Sequence, residues 1–232
     1  MSPVQLHLPL EMRQEPTLET YFPGPNAEAL AAVAALAGGQ GEPYLLLVGT
    51  SGTGKSHLLQ AACQAAVRAQ RQAHFIPLGF TGLDPALLED LEWLDLVAID
   101  DLHCIVGDPD WERALFTLFN RLRERGRALL CAVRTAPEAL PFALPDLVSR
   151  LAWGPRYRLI PLAEGDCRQL LIESAHRRGL DLPPELVQFI MNHHARDPAS
   201  LLELLARLDS LSLREQRPPS IQLLRRIMLD RP

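Results

Sequence analysis

The chain has 232 residues, of which 47% are hydrophobic, enough for a real core in one large domain or in one domain with a small satellite. Its formal net charge of −5 and sequence pI near 5.8 disfavour autonomous duplex-DNA binding, although a local Arg patch is compatible with them. Cys63, Cys104, Cys131 and Cys167 are far apart, without a C-x-x-C, and read as free buried thiols of a reducing compartment. The longest apolar run, residues 29–37, is far short of a membrane span, and no basic leader precedes an apolar stretch. The expectation is a soluble cytoplasmic protein with no membrane partner.

Residues 1–25 contain Pro3, Pro9, Pro16, Pro23 and Pro25 and read as an extended arm. Within it Gln5 is followed by Leu6, Leu8 and Leu10, which share one face of an extended segment, and Pro9 biases Leu8 toward β or polyproline geometry. Read alone, these six residues fit a strand packed on its own domain, or a terminal tail, better than a binding motif. Asn26 reads as the cap of a helix that runs to about Leu36 and stops at Gly38 and Gly39.

The first strand is expected over residues 44–48, and it leads into residues 49–56, GTSGTGKS. This fits G-x-x-x-x-G-K-[ST] without a mismatch. The glycines allow a tight turn after a buried strand, and the N–H groups of Gly49, Thr50, Ser51, Gly52, Thr53 and Gly54 and of the following helix converge on an anion. Lys55 then faces the β- and γ-phosphates of ADP or ATP, and Ser56 holds Mg²⁺. Lys55 is also the single lysine among 23 basic residues, so a compact point charge stands at the one place where phosphate chemistry suits it.

Next come a helix to about residue 70, a short strand over 73–77, and a further helix capped at Asp84-Pro85. A third strand over 94–99 ends in Asp100 and Asp101. Carboxylates at the C-terminal end of a buried strand beside a P-loop stand where Mg²⁺ takes its ligands, so Asp100 is assigned to the metal and Asp101 to the attacking water. Taken without the P-loop, the pair would be an ordinary strand-ending turn.

Asp108-Pro109 opens a long helix with Trp111, Leu115, Leu118, Phe119 and Leu122 on a core face. A fourth strand over 127–133 is followed by Arg134 and Thr135, which either read the γ-phosphate or form an ordinary loop. A short helix over 145–150 and a fifth strand over 157–160 lead to Pro161. Beyond it only amphipathic helices are expected, near 166–178, 184–195, 199–214 and 220–229. The domain reading is therefore an arm (1–14), an α/β nucleotide-binding domain (15–162) and a small all-helical domain (163–232). His193 and His194 are adjacent and read as helix-surface residues, not as a metal pair.

The order of P-loop strand, acidic strand and polar-ended strand, followed by a helical lid, resembles the AAA+ ATPases with a five-stranded parallel sheet. Residues 54–59, 97–101 and 144–151 resemble the pattern of the replication initiator DnaA. An initiator continues into a helix-turn-helix domain, whereas this sequence stops at Pro232, so no sequence-specific DNA binding is expected. A DnaA-like module with Gln-Leu-x-Leu-x-Leu at its start resembles the Hda family of regulatory inactivators of DnaA.

That resemblance implies that Gln5, Leu6, Leu8 and Leu10 enter a pocket of the DNA polymerase III β sliding clamp, and that Phe22 and Pro23 lie against adenine with His57 near the nucleotide. It also implies that Arg150 is an arginine finger completing the site of DnaA-ATP in trans, so that DnaA-ADP results and re-initiation is prevented. The chain's own ATPase would be weak or absent. A homodimer would gain avidity on a ring of repeated pockets. Where family lids carry a nucleotide-sensing Arg this chain has Ala199, with Arg196 in the preceding turn, which implies tolerance of ADP. The alternatives are a helicase-loader or remodelling ATPase with its own cycle, and an adaptor that only tethers DnaA to the clamp.

Overall fold

The structure is a computed structural model that describes residues 15–195 and 197–229. The arm with Gln5, Leu6, Leu8 and Leu10, and Arg196 of the lid, lie outside the described residues.

Five parallel strands form one sheet: β1 (Tyr44–Val48), β2 (Ala73–Pro77), β3 (Leu96–Asp100), β4 (Ala128–Val133) and β5 (Arg156–Arg158), in the order β2-β3-β4-β1-β5. The central strands read as continuous apolar runs because both faces are covered. On one face Tyr44 and Leu46, Val97 and Ile99, and Leu129, Cys131 and Val133 pack under α3 (Pro109–Glu124) and α4 (Pro145–Leu151). On the other, Leu45 and Leu47, Leu96 and Ala98, and Leu130 and Ala132 pack against α1 (Ala27–Ala37) and α2 (Lys55–Arg68). The small residues Ala62 and Ala66 of α2 meet Ala98 and Ala132 of the sheet in that second core, so this helix beds closely on the strands that carry the chemistry.

After β5 the described residues form four helices, α5 (Glu164–Arg177), α6 (Pro184–His193), α7 (Pro198–Glu215) and α8 (Ile221–Leu229), around a separate core that includes Leu171, Ile190, Leu201, Leu205 and Leu224. No helix among the described residues is long and apolar enough to cross a membrane.

Several local expectations need correction. Asp84-Pro85 starts only a 3-10 turn, Pro85–Leu88; the Asp84 carboxylate does accept from the Ala86 N–H (2.8 Å), but Glu89 turns extended and Leu88 alone is buried. Asn26 precedes α1 without capping it through its side chain. Its amide instead takes both backbone groups of Ile160, donating to the carbonyl (2.9 Å) and accepting from the N–H (2.7 Å). That bond ends the fifth strand early, at Arg158, and ties α1 to the last residues before the lid. Cys104 is exposed and not buried, because it sits on the outer side of the 3-10 turn Leu102–Ile105 whose Leu102 and Ile105 face the core. His193 is exposed at the end of α6 and stacks on Phe189, with ring centroids 4.2 Å apart.

Candidate functional site

The P-loop leaves β1 at the C-terminal edge of the sheet and turns into α2. Gly52 and Gly54 have φ of +81° and +88°, a region that L side chains avoid. A Cβ on Gly54 would stand 2.7 Å from the Tyr21 ring, and one on Gly49 would stand 2.8 Å from Thr53 Oγ1. The loop is shaped further by the Thr53 hydroxyl, which donates to the Thr50 carbonyl (2.9 Å). This is a cradle in which only backbone fits, the form a phosphate group requires.

Lys55 is buried, and its ammonium donates to the carbonyls of Gly49 (2.7 Å) and Thr50 (2.9 Å). Burial draws its pKa down, against the pull of Asp100 and Asp101, while Arg134 opposes its charge. Asp100 ends β3 at 2% exposure. Burial raises its carboxyl above the usual range, the Ser56 hydroxyl lowers it, and its Oδ1 accepts the Asp101 N–H (2.9 Å). Ser56 and Asp100 are thus brought together although 44 positions separate them in sequence, as a hydroxyl and a carboxylate on one Mg²⁺ require; the donor set is all oxygen and suits that hard cation.

Asp101 takes a left-handed conformation, φ 55°, and packs its carboxylate against Gly79 and, at 3.8 Å, the His103 ring. Burial and the charge of Arg134 hold His103 below its ordinary pKa. Arg134, exposed at the end of β4, is therefore the second cation of this cluster, facing Lys55 and His103. Thr135 follows it, half-buried. Sequence reasoning missed His103, whose only signal was its position two residues past an acidic strand end.

His57 is engaged by the segment before α1. Its Nε2 lies 2.9 Å from the Thr17 carbonyl and 3.3 Å from Thr20 Oγ1, and its ring is 5.5 Å from that of Tyr21. Burial keeps its pKa below the ordinary value. The segment before α1 is thereby clamped onto α2, with Tyr21 lying on Gly54. Phe22 and Pro23 are half-buried beyond it, and Gly24, φ +45°, packs against Phe22, Leu162 and Asp166 where the chain passes into α5.

Arg150 occupies the last turn of α4, half-buried, with its guanidinium carbon 5.9 Å from the centre of the Phe116 ring. It belongs to the α3/α4 side of the sheet, whereas α2 covers the opposite face. The structure thus gathers Lys55, Ser56, Asp100, Asp101 and Arg134 in one cluster, while Arg150 stands against Phe116 of α3.

Residues 164–228 match the family described as the lid domain of Hda. The whole fold is similar to domain III of the replication initiation protein DnaA of Thermotoga maritima, with 21% identity over 92% of this chain and 95% of that one and a TM-score of 0.76. The chain has the fold of DnaA domain III, and its lid is similar to that of Hda. AMPPCP-bound DnaA from Aquifex aeolicus (22% identity, 93% of this chain and 70% of that one, TM-score 0.73) has this fold as well. So does the Holliday junction branch migration motor RuvB of Thermotoga maritima (17%, 92% and 71%, TM-score 0.66). The expected fold class, a five-stranded parallel AAA+ sheet with a helical lid, is the one observed.

In the lid, Asp197 caps α7 by accepting from the Ser200 N–H (2.9 Å), and Pro198 occupies the first helical position. Ala199 is exposed in that first turn. The lid does place another cation toward the core: Arg177, at the end of α5, opposes the protonation of His57.

Proposed function

We propose that this chain is a negative regulator of replication initiation that acts as the Hda family does. It binds ADP with Mg²⁺ through residues 49–56 and Asp100, is recruited to the sliding clamp by Gln5, Leu6, Leu8 and Leu10, and presents Arg150 to ATP held by DnaA. The observation that supports this reading is a lid similar to that of Hda joined to a core with the fold of DnaA domain III, with Arg150 in the last turn of α4 against Phe116. A cation that does not serve its own phosphate cradle is free to serve a neighbour's.

The bound nucleotide would supply phosphate charge and the metal a point of attachment for it. The chain's own groups do the rest: backbone N–H groups and Lys55 bind the phosphates, Ser56 and Asp100 orient the metal, and Tyr21 with His57 fixes the segment over the loop. In trans, the planar guanidinium of Arg150 would stabilise charge developing on the transferred phosphoryl group, an effect worth roughly 10³ to 10⁵ in rate for fingers of this kind. Ala199 in place of a sensing Arg would leave ADP acceptable in this chain's own site.

The deciding experiment measures hydrolysis of DnaA-bound ATP with and without this protein and DNA-loaded clamp. Stimulation that disappears in Arg150→Ala, while ADP binding and clamp pull-down persist, is the expected result. Equal stimulation by Arg150→Ala would leave a tether between DnaA and clamp as the function. A second reading, an ATPase with its own cycle of the loader or remodelling type, is favoured by the cluster of Lys55, Ser56, Asp100 and Asp101, which brings together groups for phosphate, metal and attacking water. Steady turnover by the chain alone would select it.

A further inference from the structure

Glu112, in the first turn of α3, is fully buried, and its carboxylate is spent on two separate loops. Oε1 accepts the N–H of Gly107 (2.8 Å) and of Ala143 (3.0 Å), and Oε2 accepts the N–H of Leu144 (2.7 Å). Gly107 ends the loop that begins at Asp101, beside the phosphate cradle. Ala143 and Leu144 end the loop that begins at Arg134, and they deliver the chain into α4 and Arg150. A buried carboxylate is tolerated where its lone pairs are met, and being an acceptor only, it can hold N–H groups of both loops at once.

The helix that Glu112 steadies has little else at its start. Leu144 provides no side-chain cap, and α4 has only seven residues. At the far end the Tyr44 hydroxyl donates to the Leu151 carbonyl (3.1 Å), and Leu147 and Leu151 are buried in the core. Arg150 therefore stands between two tethers, one of which also holds the loop leading from Asp101.

We propose that Glu112 is the positioning residue for Arg150, joining the loop that starts at this chain's own acidic strand end to the helix that presents the guanidinium to DnaA-bound ATP. The inference rests on the reading of Arg150 given above. Any shift of residues 101–107 on nucleotide binding is passed to α4 through one rigid carboxylate.

The test is Glu112→Gln in the full chain. The amide keeps the size but turns one acceptor into a donor facing an N–H, so either Leu144 or the pair Gly107 and Ala143 is released. Because misplacing a catalytic group by 1 Å can cost about 10²-fold, the maximal rate of stimulated DnaA-ATP hydrolysis should fall by about tenfold or more. The concentration of this protein giving half-maximal stimulation, its affinity for ADP and its clamp pull-down should not change, since a positioning defect lowers the maximal rate and not association. Amide exchange should accelerate within residues 101–108 and 143–152 only. Glu112→Asp, which keeps the charge but retracts it by one methylene, should fall between the two, and it supplies the same comparison if the amide variant does not fold. Parental stimulation by Glu112→Gln would overturn the proposal, as would exchange that is unchanged or raised uniformly. If the parent chain itself stimulates nothing, the reading of Arg150 fails on its own; the tether is then judged by exchange alone, a rise confined to the two loops and α4 supporting it.

Discussion

Asp100 shows how the chemistry of one residue opposes its stability. At 2% exposure its carboxylate is costly to bury, and its raised pKa reflects that. Asp100→Asn keeps the shape and an acceptor for the Asp101 N–H, so the nucleotide-free protein should gain on the order of 1 kcal/mol, a rise in Tm of about 2–4 °C for a chain of this size. Mg²⁺ should then no longer tighten nucleotide binding. A lower Tm in the variant would contradict the assignment of Asp100 as a strained metal ligand. Lys55→Ala removes the phosphate partner, and a charged hydrogen bond of about 1.5–3 kcal/mol corresponds to a loss of ADP affinity of roughly 10- to 100-fold by calorimetry.

His57 gives a pH signature of definite sign. Its folded pKa lies below the ordinary 6.5, so just below that pH the unfolded chain binds a proton that the folded chain refuses. Stability from this residue is complete above about pH 6.5 and is lost as pH falls toward the folded value. His57→Gln, whose amide can still donate to the Thr17 carbonyl, should flatten the stability profile below about pH 6.5 in denaturant titrations.

Among the elements, the strands were legible because a sheet covered on both faces reads as uninterrupted apolar runs, and α3 because Asp108-Pro109 and a five-residue core stripe mark it unambiguously. The P-loop was legible as a motif, and the meeting of Ser56 with Asp100 followed from placing two strand ends on one sheet edge. What sequence did not carry were side chains whose partners are remote: Asn26 on Ile160, Glu112 across two loops, and His57 on Thr17. Asn26 looked like a local cap and His57 like a ligand contact, Glu112 carried no signal, and tertiary geometry gave each a distant backbone group. The 3-10 turn after Asp84 has the same origin, since a cap and a proline open a helix but only a buried stripe prolongs it. Tyr21 on Gly54 offers a test at this scale: Gly54→Ala should cost about 1–3 kcal/mol from its φ alone, with the ring clash in addition. Tyr21→Ala should recover the clash and not the backbone cost, so a double-mutant cycle by denaturant titration should show clear coupling.

The molecule as a whole has two cores on either side of one sheet and a third in the lid, joined where Asn26, Gly24, Ile160 and Leu162 meet. Leu205→Ala in the lid core should cost about 2–5 kcal/mol. Hydrogen exchange should quicken over 164–228 first, with the sheet retaining its protection, because the lid buries its own apolar side chains. Nucleotide acts on the other unit: at 100 times its Kd it should stabilise the fold by about 2.7 kcal/mol, and at the same concentration Lys55→Ala should keep only about 0.4–1.4 kcal/mol of it.

The solitary lysine has a practical consequence. Because every other basic side chain but histidine is arginine, residues 49–56 contain the sole ε-amine of the sequence. That amine is buried against two carbonyls of its own loop, and burial lowers its basicity. Among the side chains an amine-acylating reagent therefore has one target, its rate set by how often the loop opens, and a ligand occupying the cradle should protect that atom. Mass spectrometry of the adduct would then follow loop occupancy in the intact protein, even in the company of clamp and DnaA, without any substitution in the chain.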